Sequence, residues 1–177
     1  MRYLVLALVM ALAVPAVWGV TLQSVYDQAG PGEGYDKLLI LDPNVTYTGG
    51  CGVSQGKKSC IRGNGAVLDL QHNQIYCGQP GTEVTIEGCC LINGAASDAA
   101  ITVLDGAVAT LDGNTFAKNY ISIKIWLGSS ATIKNNIVYG NSWYGVAAHQ
   151  NSYGSLTILY NDFHNNGGGN YMYWCSG

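Results

Sequence analysis

The chain is poor in charge. Only 11% of its 177 residues are Asp, Glu, Lys or Arg, and from Asn114 onward there are three Lys, one Asp and ten Asn. Without Arg2, which lies in a leader, seven basic residues (8 − 1) face eleven acidic ones, a net charge of −4. No basic patch exists, which excludes the electrostatic footprint of a nucleic-acid-binding protein. No Cys-x-x-Cys pair is present, so the usual thiolate zinc spacing is missing. His72, His149 and His164 stand apart, with no acidic or Cys partner at ligand spacing. No metal or other cofactor is expected from them. After the leader no second long apolar run follows, so no membrane span is expected in the mature chain.

The leader itself is distinct. Met1-Arg2 is a short positive start, Leu4 to Val17 is almost unbroken apolar sequence, and Val17-Trp18-Gly19 offers small residues at −3 and −1. This predicts a secretory signal peptide over residues 1–19 and a secreted, extracellular or cell-surface protein. A surface of Asn, Ser, Gly and Tyr fits that location. Six Cys in a secreted chain predict disulfides.

The remaining chain repeats. "VTIEGCCLING" (84–94), "ATLDGNTFAKN" (109–119), "ATIKNNIVYGN" (131–141) and "LTILYNDFHNN" (156–166) recur at steps of 22 or 25 residues. Each opens with apolar residues flanking a Thr (Thr85, Thr110, Thr132, Thr157), the period-two signature of a strand with one buried face. Asn114, Asn136 and Asn161 lie four residues past their Thr; Asn119, Asn141 and Asn166 lie nine past it. Third apolar stretches follow at 100–104, 121–126 and 145–148. Three short strands and three turns per step predict one coil of a right-handed parallel β-helix, about six coils in all. Stacked coils would bury a continuous core and align the Asn amides into ladders. The repeated Leu pattern of leucine-rich repeats is missing, and the period is too long for a run of hairpins.

"SCIRGNGAVLDLQ" (59–71) and "KLLILDPNVTY" (37–47) extend the frame backwards, placing Ile61, Ile86, Leu111, Ile133 and Ile158 in one buried column. Residues 20–36 break the pattern and predict an N-terminal cap with a short helix that covers the open lower end. The β-helix domain is expected over 37–177.

The stacked phrases, entered by "IRGNGAVLDL", resemble the pectin-lyase-like superfamily of right-handed β-helix proteins over about residues 37–166. That resemblance implies the fold; the superfamily includes pectate lyases, polygalacturonases, tailspikes, adhesins and many repeat proteins without known chemistry. The Asn-Thr-Asp, Asp-Asp, Gly-His-Gly and Arg-Ile-Lys motifs of polygalacturonase-like members are absent here.

Several constellations remain as candidate sites. Residues following the buried column form an outward one: Arg62, Glu87, Asp112, Lys134 and Leu159, at ~4.8 Å intervals. Glu87 and Asp112 would be like charges at close range, which raises the apparent pKa of the pair. Carboxylates ~5 Å apart suit a retaining glycosidase, with Arg62 and Lys134 as flanking cations. The simpler reading is a balanced ion-pair ladder. Trp143, Tyr144, Tyr153, Tyr160, Tyr171, Tyr173 and Trp174 form a candidate glycan-binding or protein-binding surface. Cys51 and Cys60 bracket a loop they can close, Cys77 can reach Cys89 or Cys90, and Cys175 is left free or bonded to another chain. Glycines and aromatics at the upper end predict self-association through that edge. The leading expectation is a structural or adhesive role in an extracellular assembly, with glycan binding. Cleavage of an acidic polysaccharide by a lyase or glycoside hydrolase is the alternative.

Overall fold

A computed structural model describes residues 19–53, 56–149 and 156–174. All but the last residue of the expected signal peptide lie outside the described residues, as do Tyr153 and Cys175. Each coil crosses three parallel walls in turn. The first wall is built from Lys37–Ile40, Lys58–Arg62, Glu83–Glu87, Val108–Asp112, Ser130–Lys134 and Leu156–Leu159. The second has seven shorter strands, from Val20–Thr21 and Thr46–Thr48 up to Asp162–His164. The third runs from Cys51–Val53 through Ile75–Cys77, Ala99–Val103, Ile121–Ile125 and Tyr144–His149 to Gly169–Trp174. The all-β parallel solenoid of about six coils read from the repeat is the observed fold.

The register follows the spacing of the repeat. Leu39, Ile61, Ile86, Leu111, Ile133 and Ile158 are successive partners on the first wall. All but Ile158 are almost fully buried, and Ile158 is half-buried in the uppermost coil. Leu68, Leu91, Phe116, Val138 and Phe163 form the facing column of the second wall. Each fully buried large side chain there contributes ~1.5–3 kcal/mol.

Two amide ladders hold the corners. Asn114 and Asn136 each donate from the backbone to the side-chain oxygen of the next ladder residue, Asn136 and Asn161 respectively, at 2.9 and 2.8 Å. Their side-chain nitrogens satisfy the carbonyls of Ile86 and Leu111 in the coil below. Asn119, Asn141 and Asn166 repeat this at the next corner. The residue before each ladder position is left-handed: Gly113, Asn135 and Tyr160 at one corner, Lys118, Gly140 and Asn165 at the other. This tight bend aims the amide along the stack, and Gly or Asn is the residue that adopts it most cheaply.

The lower end is closed by one short helix, α1 (Leu22–Gln28), as the pattern break at 20–36 predicts. Thr21 caps it, accepting from the Ser24 amide, while Leu22 and Tyr26 bury themselves against the first coil. Lys37 donates to the carbonyls of Tyr26, Asp27 and Ala29 at the helix end, where a cation also complements the dipole.

Among the described residues the expected intramolecular disulfides are not formed. Cys51, Cys60, Cys77, Cys89 and Cys90 are all free thiols. The register explains this. Cys51 lies opposite Ile75, Cys77 between Val53 and Val103, Cys60 between Leu38 and Thr85, and Cys90 between Val67 and Thr115. None of these four strand cysteines is the strand partner of another, so none of the four meets a second strand thiol at the ~4.8 Å spacing that falls within disulfide reach. Cys51, Cys77 and Cys89 act instead as small core side chains, and burial pushes their thiols up to about 12.

Candidate functional site

Arg62, Glu87, Asp112, Lys134 and Leu159 are consecutive register partners on the outer face of the first wall. The charges pair outward from the middle. Arg62 donates Nε–H to Glu87, and Lys134 Nζ lies 3.1 Å from Asp112. Asn135 donates to Asp112 at 2.8 Å. That amide bond, aided by Lys134, holds the Asp112 carboxyl below its usual range against an opposing desolvation. The rise expected from like-charge proximity is therefore not seen at Asp112, where local donors outweigh desolvation and the carboxyl is lowered.

A carboxyl so held is a poor proton donor at neutral pH. Its depressed pKa adds stability above the ordinary carboxylate range, which is lost as pH falls through the folded value. Asp112→Asn should change stability by no more than about 1 kcal/mol, as for other exposed pairs. Thermal melts at pH 7 check this, and loss of a polysaccharide-cleaving activity in that variant would restore the catalytic reading.

The repeat could not show what covers the foot of this column. Residues 29–36 cross it as a strap. Glu33 and Gly34 are both left-handed in a tight turn closed by mutual Gly32 and Tyr35 backbone bonds. Glu33 meets Arg62 with both oxygens, at 3.2 and 3.0 Å, and this pairing lowers its carboxyl pKa. Beside it Tyr35 reaches Thr85 at 3.5 Å. Cys60 shares the outward Thr rank (Thr85, Thr110, Thr132, Thr157) yet is fully buried, with Tyr35 as its hydrogen-bonding neighbour.

The third wall carries the richer surface. Gly52, Tyr76, Thr102, Lys124, Ala147 and Met172 form its outward column. Lys124 Nζ sits 2.7 Å from Asp98 and 5.2 Å from the Trp126 ring centroid. Trp126 in turn meets the His149 ring at 4.6 Å. Towards the other end of the strands, Tyr120, Trp143 and Tyr144 contact one another, with ring centroids about 5 Å apart. Together with Met172 they cover Ala99, Ile121 and Ala147, a second apolar cluster outside the main core.

Of the seven aromatics singled out from sequence, Tyr160 and Tyr171 lie apart from Trp143 and Tyr144, and Tyr153 lies outside the described residues. Trp143 and Tyr144 meet on the third wall, where Tyr120 and Trp126 join them unforeseen. Tyr171 packs on Phe163 at the top of the core, whereas Tyr160 is 85% exposed at the corner between the first and second walls. The backbones of Tyr173 and Trp174 pair with Ala148 and His149. The sequence signal for Lys124 and Asp98 was available, since one coil separates them, but neither belongs to the eleven-residue phrase.

Among the described residues no helix is long and apolar enough to cross a membrane. Residues 36–177 match the family described as the right-handed beta helix region. No curated protein and no solved structure matches the chain.

Proposed function

The chain belongs to the right-handed β-helix family, and from that premise we propose that it is a secreted adhesive module that holds polysaccharide on its third wall without cleaving it. One observation carries this reading. The outward column is bracketed by rings, Trp126 and His149 at one end of the strands, Tyr120, Trp143 and Tyr144 at the other. Ring faces pack on the apolar faces of sugars, while the part-exposed Lys124 ammonium and Asp98 carboxylate supply hydrogen bonds between them. The wall is rigid, which limits the ordering cost of binding. On the first wall the carboxylates are already engaged in ion pairs, which favours adhesion over hydrolysis. Copies would also associate through the uppermost coil, where Ile158 and Phe163 are only half-buried and Leu159 is 45% exposed.

The test is co-sedimentation with insoluble cellulose, xylan, pectin and chitin. Trp126→Ala should weaken retention about tenfold, the equivalent of roughly 1.4 kcal/mol. Unchanged retention, or release of reducing or unsaturated ends, would reject the proposal. Sedimentation velocity on the same samples reads self-association, and a strictly monomeric protein removes that part.

A further inference from the structure

The foot of the third wall has a cavity of its own, about 400 Å³, between α1 and the lowest strands. We infer that it binds an uncharged, hydroxyl-rich group, the terminal residue of a neutral polysaccharide. This rests on the glycan-binding reading and adds to it a location and a ligand class.

The cavity exists because a side chain is missing. Gly52 stands in the outward column directly below Tyr76, and a Cβ built on it meets nothing within 4 Å. At Gly50, by contrast, a Cβ would lie 2.3 Å from the Gln74 carbonyl, so the floor is close-packed backbone. One wall is Tyr76, 37% exposed, whose ring leans over Gly78: a Cβ there would sit 2.6 Å from the ring edge. Bare Gly78 thus lets the ring lie along the strand, offering a face on which a pyranose can stack.

The polar lining is uncharged. It includes the carboxamides of Gln23 and Gln74, the imidazole of His72 and the amide of Asn73, and no Lys, Arg, Asp or Glu lines it. Gln74 accepts from Thr102 at 2.6 Å, which fixes its oxygen and turns its NH₂ to the other side. Gln23 accepts from the Gly52 amide at 2.9 Å and so ties the cap helix to the floor. Gln71 and His72 are consecutive non-glycine residues in left-handed conformation. Such a costly turn persists only where its surroundings over-determine it, and here it brings His72 and Asn73 to the rim. The Gln74 NH₂, the Asn73 side-chain oxygen and the His72 imidazole donate and accept in the alternating manner that sugar hydroxyls require, whereas Gln23 is already engaged at both ends, by the Gly52 amide and by Asp27. An anionic ligand would find no cationic lining residue, would meet Asp27 behind Gln23 and would lose hydration, which selects against uronates. The hollow is open to solvent on one side, which suits the end of a chain better than an enclosed small molecule.

Gly52→Gln tests the site by filling it, because the position is neither crowded nor left-handed and the fold should survive. Titration calorimetry with cellohexaose, xylohexaose and mannohexaose is compared with oligogalacturonate. The expected result is binding of at least one neutral hexasaccharide, a loss of tenfold or more in Gly52→Gln, and an intermediate loss in Gly52→Ala. If Gly52→Gln binds the neutral probe as well as the wild type, the cavity is not the site, although adhesion on the upper wall still stands. A preference for oligogalacturonate overturns the ligand class. Failure of every soluble and insoluble probe overturns both this inference and the adhesion reading.

Discussion

Asn136→Ala should destabilise the protein by about 3–5 kcal/mol, a fall in melting temperature of roughly 10 °C. Asn136 is almost fully buried in the middle of its ladder. Its oxygen accepts from the Asn114 amide, and its nitrogen donates to the Leu111 carbonyl. Alanine orphans both groups at a site water cannot reach, and each orphan costs ~1–3 kcal/mol. Asn135→Ala, one residue earlier, is the control: that exposed side chain only donates to Asp112, and the left-handed backbone adds a cost of about 1 kcal/mol. Asn136→Asp separates the two halves of the amide. The acid keeps an oxygen for Asn114 and, when protonated, can donate to Leu111, so its folded pKa lies above the unfolded ~3.9. That variant should be closest to wild type at low pH and lose stability as pH rises from about 4 towards the raised folded value. Urea titrations at pH 4 and 7 read the difference. Equal destabilisation of Asn135→Ala and Asn136→Ala would mean that the ladder carries no special load.

Phe116→Ala should cost a comparable ~3–5 kcal/mol. Phe116 is the largest fully buried side chain, stacked between Leu91 and Val138. Its loss leaves a void that rigid walls on three sides cannot collapse. In a solenoid each coil touches only its neighbours, so the damage should stay local. Hydrogen exchange should rise across the coils from Val108 to Leu159, while amides around Leu39 and Leu68, sealed by α1, keep their protection. Uniform loss of protection would show that the six coils unfold as one unit.

Much of this architecture was legible because a stacked fold writes its geometry as a period. A step of 22 or 25 residues returns Ile61, Ile86, Leu111, Ile133 and Ile158 to one place, and the same steps align the ladder asparagines. The period is silent wherever the chain leaves it. Glu33 reaches Arg62 from the cap, outside the repeat, and Trp126 meets His149 across turns of unequal length. Cysteine misled for another reason. Secretion argues for pairing, but pairing needs two thiols at one register position, and the stacking puts Val, Ile, Leu or Thr opposite each strand cysteine. Gly52 gave no signal at all: a pocket made by a missing side chain becomes visible only once its neighbours are in place.

The unpaired thiols have a further consequence as a depth gauge. Cys90 is half-exposed on the second wall. Cys60 is fully buried on the outward face beside Tyr35 of the strap that Glu33 fastens to Arg62. Cys51 and Cys77 lie behind the cap helix, and Cys89 is enclosed beneath the Asn114 amide. A thiol reagent added to the native protein therefore samples three successive motions: surface contact, lifting of the strap, and parting of the coils. Because a labelled residue records the opening that admitted the reagent, the order in which these five of the six cysteines react would draw the stability profile of the solenoid from its skin to its core. The molecule carries that record without any engineered probe.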